Sequence, residues 1–115
     1  MLKVEPINPG FSTADAECPE FSLKAGALQM TFEDWTGSLI SVEFQGVVAF
    51  SWQEDAQLLD GEPYDGACEI FGSDLVARHL AGFYIPKGHP ARHLRFNFNA
   101  CGQLEVVCES FAVGT

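Results

Sequence analysis

Basic residues are scarce in this chain of 115 residues, which has 6 Lys plus Arg against 16 Asp plus Glu and a formal net charge of -10. A protein that binds nucleic acid directly neutralises phosphates with Lys and Arg side chains. The shortage therefore argues against nucleic acid as a direct partner. It leaves open a basic protein as a partner, because opposite charge would steer such a protein towards this chain.

Long apolar runs are also missing, since no stretch approaches the ~20 consecutive apolar residues that a membrane-spanning helix needs. The N-terminus carries Lys3, Glu5 and Pro6 where a secretory signal would have its apolar stretch. We therefore expect a cytoplasmic protein that does not act at a membrane. In that compartment the thiols are expected to be reduced.

The four cysteines contain no Cys-x-x-Cys pair, which argues against a zinc ribbon and against a thioredoxin-like redox pair. They are Cys18, Cys68, Cys101 and Cys108. Two disulfides are the less favoured alternative to four free thiols.

The commonest catalytic and cofactor motifs are absent as well: there is no phosphate-binding loop, no dinucleotide fingerprint and no His-Glu-x-x-His. Ser73 follows Gly72 as in half of a nucleophile elbow, but it is expected to cap a helix. A calcium loop starting at Asp60 would place Tyr64 and Phe71 where oxygen ligands are required. We therefore expect no catalytic residue, no metal and no cofactor.

Apolar residues, by contrast, are plentiful: the hydrophobic set makes up 47% of the chain, with ten Phe, two Trp and two Tyr. A disordered acidic chain would lack these aromatics. A chain of this length can bury a core without help from metals or disulfides. Residues 1–115 are therefore predicted to form a single globular β-rich domain.

Alternation of apolar and polar residues with a period of two predicts β-strands in the first half of the chain. Leu28, Met30 and Phe32 alternate with polar residues, and Ile40, Val42 and Phe44 do so after a turn around Gly37. The third run, residues 47–52, is apolar on both faces, which is typical of a strand in the middle of a sheet. We expect these three strands to form a meander.

The middle of the chain is predicted to be mostly loop. Residues 53–66 contain two Asp-Gly pairs and a proline, which favour an exposed loop, and 67–71 form a short strand. One short helix is expected at about residues 74–81, capped by Ser73, before a loop from Pro86 to Pro90.

The C-terminal part is predicted to be a β-hairpin closed by the loop 100–102, with Gly102 in the left-handed position of a type I turn plus bulge. This register places Asn99 opposite Gln103 and collects the large apolar residues on one face. On the other face His93 lies opposite Glu109 and Asn97 opposite Glu105, with Arg95 between the two glutamates. Cys101 and Cys108 are then too far apart to bond to each other.

Many short strands with glycine turns and little helix predict an antiparallel β-barrel or a two-sheet sandwich, with the helix packed at one end. The phenylalanines at inward strand positions are assigned to the core. They are Phe32, Phe44, Phe50, Phe96 and Phe98.

Charge is distributed unevenly, since residues 1–74 sum to -12 and residues 75–115 to +2. Either the basic part folds against the acidic part, or the acids form a patch that steers a basic partner. The second interpretation predicts a non-enzymatic binding protein of the inhibitor or immunity type. Its candidate contact residues are the turn aromatics and loop acids, namely Trp35, Glu54, Asp55, Asp60, Glu62 and Tyr64.

The alternative is a small-ligand protein in which His93, Arg95 and Asn97 hold an anion by charge-assisted hydrogen bonds. A small hydrolase or isomerase that uses His93 or His79 beside a carboxylate is less favoured. The histidines are otherwise expected to have structural roles, and His79 and His89 show no recognised metal spacing with His93. The sequence is compatible with a monomer and with a homodimer that pairs through an edge strand.

Overall fold

A computed structural model describes residues 2–55, 57–72 and 91–114 of the chain. The described residues form nine β-strands, and none of them lies in a helix. The strands are β1 Lys3–Ile7, β2 Glu20–Lys24, β3 Ala27–Glu33, β4 Leu39–Gln45, β5 Ala49–Gln53, β6 Ala67–Phe71, β7 Arg92–Phe98, β8 Gly102–Cys108 and β9 Ser110–Gly114. No helix in these ranges could cross a membrane.

The strands form two antiparallel sheets, one of order β1-β6-β7-β8-β5 and one of order β2-β3-β4-β9. The mainly β prediction is confirmed, and of its two architectures the structure is the sandwich, because the two sheets remain separate. The predicted helix at about 74–81 lies outside the described residues, as do His79 and His89.

The core lies between the two sheets, where alternate residues of each strand meet. Leu28, Met30 and Phe44 of the smaller sheet are fully buried against Phe96 and Leu104 of the larger one. The rings of Phe44 and Phe96 meet edge to face, with centroids 5.5 Å apart. Strand alternation therefore identifies the inward faces of β3, β4, β7 and β8 correctly.

The predicted meander is wrong at its third strand. β4 pairs with β9 on its second edge, so β5 leaves that sheet and pairs with β8 in the other one. β5 is therefore an edge strand. Phe50, which was assigned to the core, is 42% exposed because an edge position is only partly covered by the opposite sheet.

The register of the β7–β8 hairpin differs from the prediction by two residues. Asn97 lies opposite Gln103 and Arg95 opposite Glu105, while His93 lies opposite Val107. The turn comprises residues 99–101 and is closed by a hydrogen bond from Cys101 N to Phe98 O of 2.9 Å. A shift of two residues keeps every side chain on its predicted face.

The physical reason for the shift is the position of Gly102, which starts β8 instead of ending the turn. A Cβ atom at Gly102 would lie 2.5 Å from Gln53 O and 2.9 Å from the Cα of Glu54. The glycine is therefore required for the close approach of β5 to β8. The prediction had assigned it to the turn conformation.

A segment before β2 connects the two sheets at one end. Phe11 stacks on Phe96, with centroids 5.7 Å apart, and Thr13 donates from its buried hydroxyl to Asn97 O at 2.6 Å. Cys18 then forms a disulfide with Cys101, with Cα atoms 5.5 Å apart. The expectation of reduced thiols is wrong for these two cysteines, because the fold brings together residues 83 positions apart.

Candidate functional site

The outer face of the larger sheet carries a buried polar network. Alternation along β7 places His93, Arg95 and Asn97 on this face, and β8 adds Gln103 and Glu105 beside them. The loop between β5 and β6 lies over this face. The three residues predicted to contact a ligand are thus brought together.

Glu62 of that loop is the centre of the network. Its carboxylate accepts hydrogen bonds from Leu59 N at 2.8 Å, Arg95 Nη1 at 2.9 Å, Asn97 Nδ2 at 2.8 Å and Gln103 Nε2 at 2.7 Å. A buried carboxylate needs such donors to offset the loss of water. Glu62 therefore fastens the loop to the sheet and does not lie on the surface where a partner would meet it.

Glu105 forms the second half of the network. It accepts from His93 Nε2 at 2.9 Å and from Arg95 Nε at 2.6 Å. The hydrogen bond from His93 is the largest cause and, together with the hydrogen bond and the charge of Arg95, it outweighs burial and lowers the pKa of Glu105 to about 2. Burial lowers the pKa of Arg95, but the bonds and charges of Glu105 and Glu62 exceed this effect and raise it.

The donors predicted to hold an external anion are therefore already bound to carboxylates of the chain itself. Arg95 lies between Glu62 and Glu105, and Asn97 also donates to Pro63 O at 2.7 Å. This arrangement weighs against a bound anionic ligand. The sequence pattern places these donors on one face, but the local sequence of a loop with two Asp-Gly pairs gives no signal that the carboxylate of Glu62 would bind them.

The two free cysteines, Cys68 and Cys108, are buried and are expected to be unreactive. Burial raises the pKa of Cys68 to about 12 and that of Cys108 to about 11. Both thiols are therefore neutral at ordinary pH, whereas nucleophilic and metal-binding cysteines act as thiolates. Among the described residues, no three His, Cys, Asp or Glu side chains are grouped as metal ligands.

A second feature is the acidic end of the sandwich, where the disulfide lies. Asp15 N donates to Asn99 in the β7–β8 turn, and Glu17 N donates to Glu33 O at the end of β3. β5 ends at the same place. We define the acidic end by its exposed carboxylates, which are Asp15, Glu17, Glu20, Glu33, Glu54 and Asp55.

The acidic end contains a cleft of about 240 Å³ between the loop and the β7–β8 turn. Glu54, Asp55 and Tyr64 line one side of the cleft, and Asn99 and Cys101 line the other. Tyr64 is 64% exposed. The cleft therefore combines carboxylates with an exposed aromatic ring.

Trp35 is presented from the turn that joins β3 to β4, and it is 66% exposed. Asp34 holds this turn, because its Oδ1 accepts from Thr36 N and Ser38 N at 3.0 Å each. The hydrogen bond from the Thr36 hydroxyl is the main cause of a lowered pKa of Asp34. The indole is thus carried on an ordered turn.

The described basic residues do not neutralise the acidic end. Arg92 pairs with Glu69 at 2.8 Å, and Lys3 pairs with Glu5 at 2.8 Å. Arg95 is held by the buried network. Glu54, Asp55 and Asp60 form no ion pair with any described Lys or Arg, and they are exposed.

Comparison of the chain with protein-family models, curated proteins and solved structures gave no match.

Proposed function

We propose that this protein is a non-enzymatic binding protein whose acidic end docks on a basic surface of another protein, as an inhibitor or immunity-type protein would. The observation that carries the proposal is that exposed Trp35 and Tyr64 lie at the same end of the sandwich as exposed carboxylates that form no ion pair with any described Lys or Arg. Trp35, Glu54, Asp55, Asp60 and Tyr64 remain candidates for the contact surface. Glu62 is buried and supports this contact surface indirectly, because it fixes the loop to the sheet.

The aromatic rings supply the short-range part of the proposed interaction. Exposed Trp and Tyr side chains are common anchors at protein interfaces, because they bury a large area at a low entropic cost. Trp35 and Tyr64 are the two most exposed aromatic residues in the described chain. The ordered Trp35 turn lowers the entropic cost of binding further.

The carboxylates of the acidic end supply the long-range electrostatic part of the proposed interaction. An acidic patch raises the rate of association with a basic partner and favours it over acidic competitors. Glu54 and Asp55 suit this role because they are exposed and have no ion-pair partner among the described cations.

The compartment is part of the proposal. The cytoplasm is the proposed compartment, and the Cys18–Cys101 disulfide is the observation against it, because disulfides persist in oxidising compartments. Lysis of the source cells in denaturant with an alkylating reagent, which makes the buried Cys68 and Cys108 accessible, followed by mass measurement, decides between them. Two alkylated cysteines indicate an intact disulfide and an oxidising compartment, and four indicate the cytoplasm.

The test of function is capture of the partner from source cells, analysed by native mass spectrometry. We compare wild type with Glu54→Gln/Asp55→Asn at the acidic end. The matched control is Glu5→Gln/Glu43→Gln, which removes the same charge from exposed positions elsewhere. We expect a basic protein that wild type and the control retain and the acidic-end variant loses.

Retention of the same protein by wild type and by both variants would contradict the proposal, since charge at the acidic end would then be irrelevant. Copurification of a small molecule in place of a protein would also contradict it. A further variant, Trp35→Ala, tests the aromatic anchor and is expected to speed dissociation of the captured protein.

A further inference from the structure

The side of the sandwich formed by β2 and β5 is open to solvent. Leu23 pairs with Leu28 and Phe50 pairs with Val106, so both belong to inward faces of their sheets. Nevertheless Leu23 is 58% exposed and Phe50 is 42% exposed. Two apolar side chains thus face the space between the sheets and are left partly uncovered by the residues that the structure describes.

The alignment of β2 with β5 places Leu23 and Phe50 at the same level along this side. The rings of Phe21 and Trp52 meet with centroids 5.5 Å apart, which aligns β2 with β5. Each strand continues from this contact away from the disulfide. The next inward-facing residue on β2 is Leu23, and the next one on β5 is Phe50. We call the gap bordered by Leu23 and Phe50 the side slot.

β5 also has a free edge among the described strands, since β8 is its only partner there. Natural edge strands are commonly protected by charged residues or proline, and β5 has neither in Ala49–Gln53. Such an edge can accept an extended segment as an added strand. β5 leads directly into Glu54 and Asp55 of the acidic end.

We propose that β5 accepts an extended segment of the basic partner as an added antiparallel strand. An apolar side chain of this segment enters the side slot, and a Lys or Arg side chain lies beside Glu54. The inference rests on the proposed function and identifies how the partner is recognised. All strand pairs in both sheets are antiparallel, which supports that direction for the added strand.

The spacing of the two recognised residues follows from strand geometry. Phe50 lies in β5, and Glu54, four positions later, is the first residue of the turn that follows the strand. An antiparallel segment therefore presents the basic residue first and the apolar residue four positions later. This pattern distinguishes the proposal from general attraction to cations.

Charge favours a basic segment over a second copy of this chain. Two copies paired through β5 would each contribute a net charge of -10 and would bring additional carboxylates to the same side. Like charges close to an interface oppose association. A basic segment is attracted by the same carboxylates.

The test is selection of a displayed library of random 12-residue peptides on the disulfide-bonded protein. Retained peptides are then synthesised and their affinity is measured by calorimetry. We expect enrichment of a basic residue four positions before an apolar one. Two separate variants, Phe50→Lys and Leu23→Lys, test the slot. Each is expected to weaken binding of these peptides by about tenfold or more, because it removes an apolar wall of the slot and adds a positive charge that repels the basic peptide.

Val113→Lys is the matched control, because Val113 is 41% exposed but lies on β9, away from the slot, and the affinity of this variant is expected to remain within about twofold of wild type. Hydrogen exchange of the β5 amides is expected to slow when a retained peptide binds. Selection without this pattern, or equal binding to Phe50→Lys, would overturn the inference. So would a homodimer in solution that Phe50→Lys dissociates.

The two proposals fail separately in these experiments. If the captured partner is lost by Glu54→Gln/Asp55→Asn but retained by Phe50→Lys, the acidic end binds it and β5 does not. If neither variant affects capture, the proposed function itself fails.

Discussion

Glu62 illustrates how one residue can have a role that its local sequence does not indicate. It lies in a polar, glycine-rich loop, and such loops are usually exposed. In the structure it is buried and binds donors from Arg95, Asn97 and Gln103, which are 33, 35 and 41 positions away. Period-two alternation reports which face a strand residue occupies, but it contains no information about which loop covers that face.

Removing the charge of Glu62 is expected to release the loop. Glu62→Gln replaces one acceptor oxygen by an NH2 group, which cannot accept the hydrogen bonds donated at that position, and it leaves Arg95 with one carboxylate. We expect the free energy of unfolding to fall by about 3 kcal/mol. Urea denaturation at neutral pH measures this change. Asp60→Asn in the same loop is exposed and serves as the control, with an expected change within about 0.5 kcal/mol. Equal effects of the two substitutions would show that Glu62 does not hold the loop.

The lowered pKa of Glu105 predicts how the free energy of unfolding depends on pH. The pKa of Glu105 is about 2 in the folded chain and 4.5 in the unfolded chain. Its contribution to the free energy of unfolding is therefore complete above pH 4.5. The effect is lost as the pH falls from 4.5 towards 2, because the unfolded chain binds the proton first. Glu105→Gln is expected to lower the free energy of unfolding by about 1–2 kcal/mol at pH 7. The difference from wild type should narrow at acid pH, and denaturation curves across this range measure it. A constant difference would contradict the assigned pKa.

At the scale of secondary structure, the sequence predicts strand faces well and strand partners poorly. The inward faces of β3, β4, β7 and β8 follow from alternation alone. The pairing of β5 with β8 does not, because it depends on whether β9 occupies the second edge of β4. β1, β2 and β9 were not identified individually, since short strands at edges show weak alternation.

Substitution of Gly102 tests whether the close approach of β5 to β8 explains the hairpin register. In Gly102→Ala the new Cβ would meet backbone atoms of Gln53 and Glu54, which side-chain rotation cannot relieve. We expect a loss of about 2–3 kcal/mol in the free energy of unfolding. Gly61→Ala is the comparison: Gly61 has φ of 83° and no atom within 4 Å of its added Cβ, so only backbone strain of about 1 kcal/mol is expected. Thermal denaturation of both variants measures the difference. If Gly102→Ala costs no more than Gly61→Ala, the close approach of β5 does not explain the register.

At the scale of the whole molecule, the Cys18–Cys101 disulfide joins the segment before β2 to the β7–β8 turn. The predicted hairpin register excludes the Cys101–Cys108 bond, but it does not identify Cys18 as the partner. That pairing depends on Phe11 and Thr13 bringing the segment across the end of the sandwich. The acidic end is built around this bond.

Reduction of the disulfide is expected to destabilise the fold by about 4 kcal/mol, because the bond closes a loop with a sequence separation of 83 and restricts the unfolded chain. Urea denaturation with and without a phosphine reductant measures this change in wild type. Cys18→Ala/Cys101→Ala is expected to unfold at the lower midpoint under both conditions. A wild-type midpoint that the reductant leaves unchanged would contradict the stabilising role of the bond.

The central claim is that carboxylates at the acidic end steer a basic partner. The most direct test is the association rate constant of the captured partner, measured by stopped flow from low to high salt, for wild type and for Glu54→Gln/Asp55→Asn. Salt screens exposed charges over a Debye length of about 10 Å at 0.1 M. The account predicts a rate that falls steeply with salt in wild type, and a slower rate with a flatter dependence in the variant. Equal rates and equal salt dependence in the two proteins would contradict it.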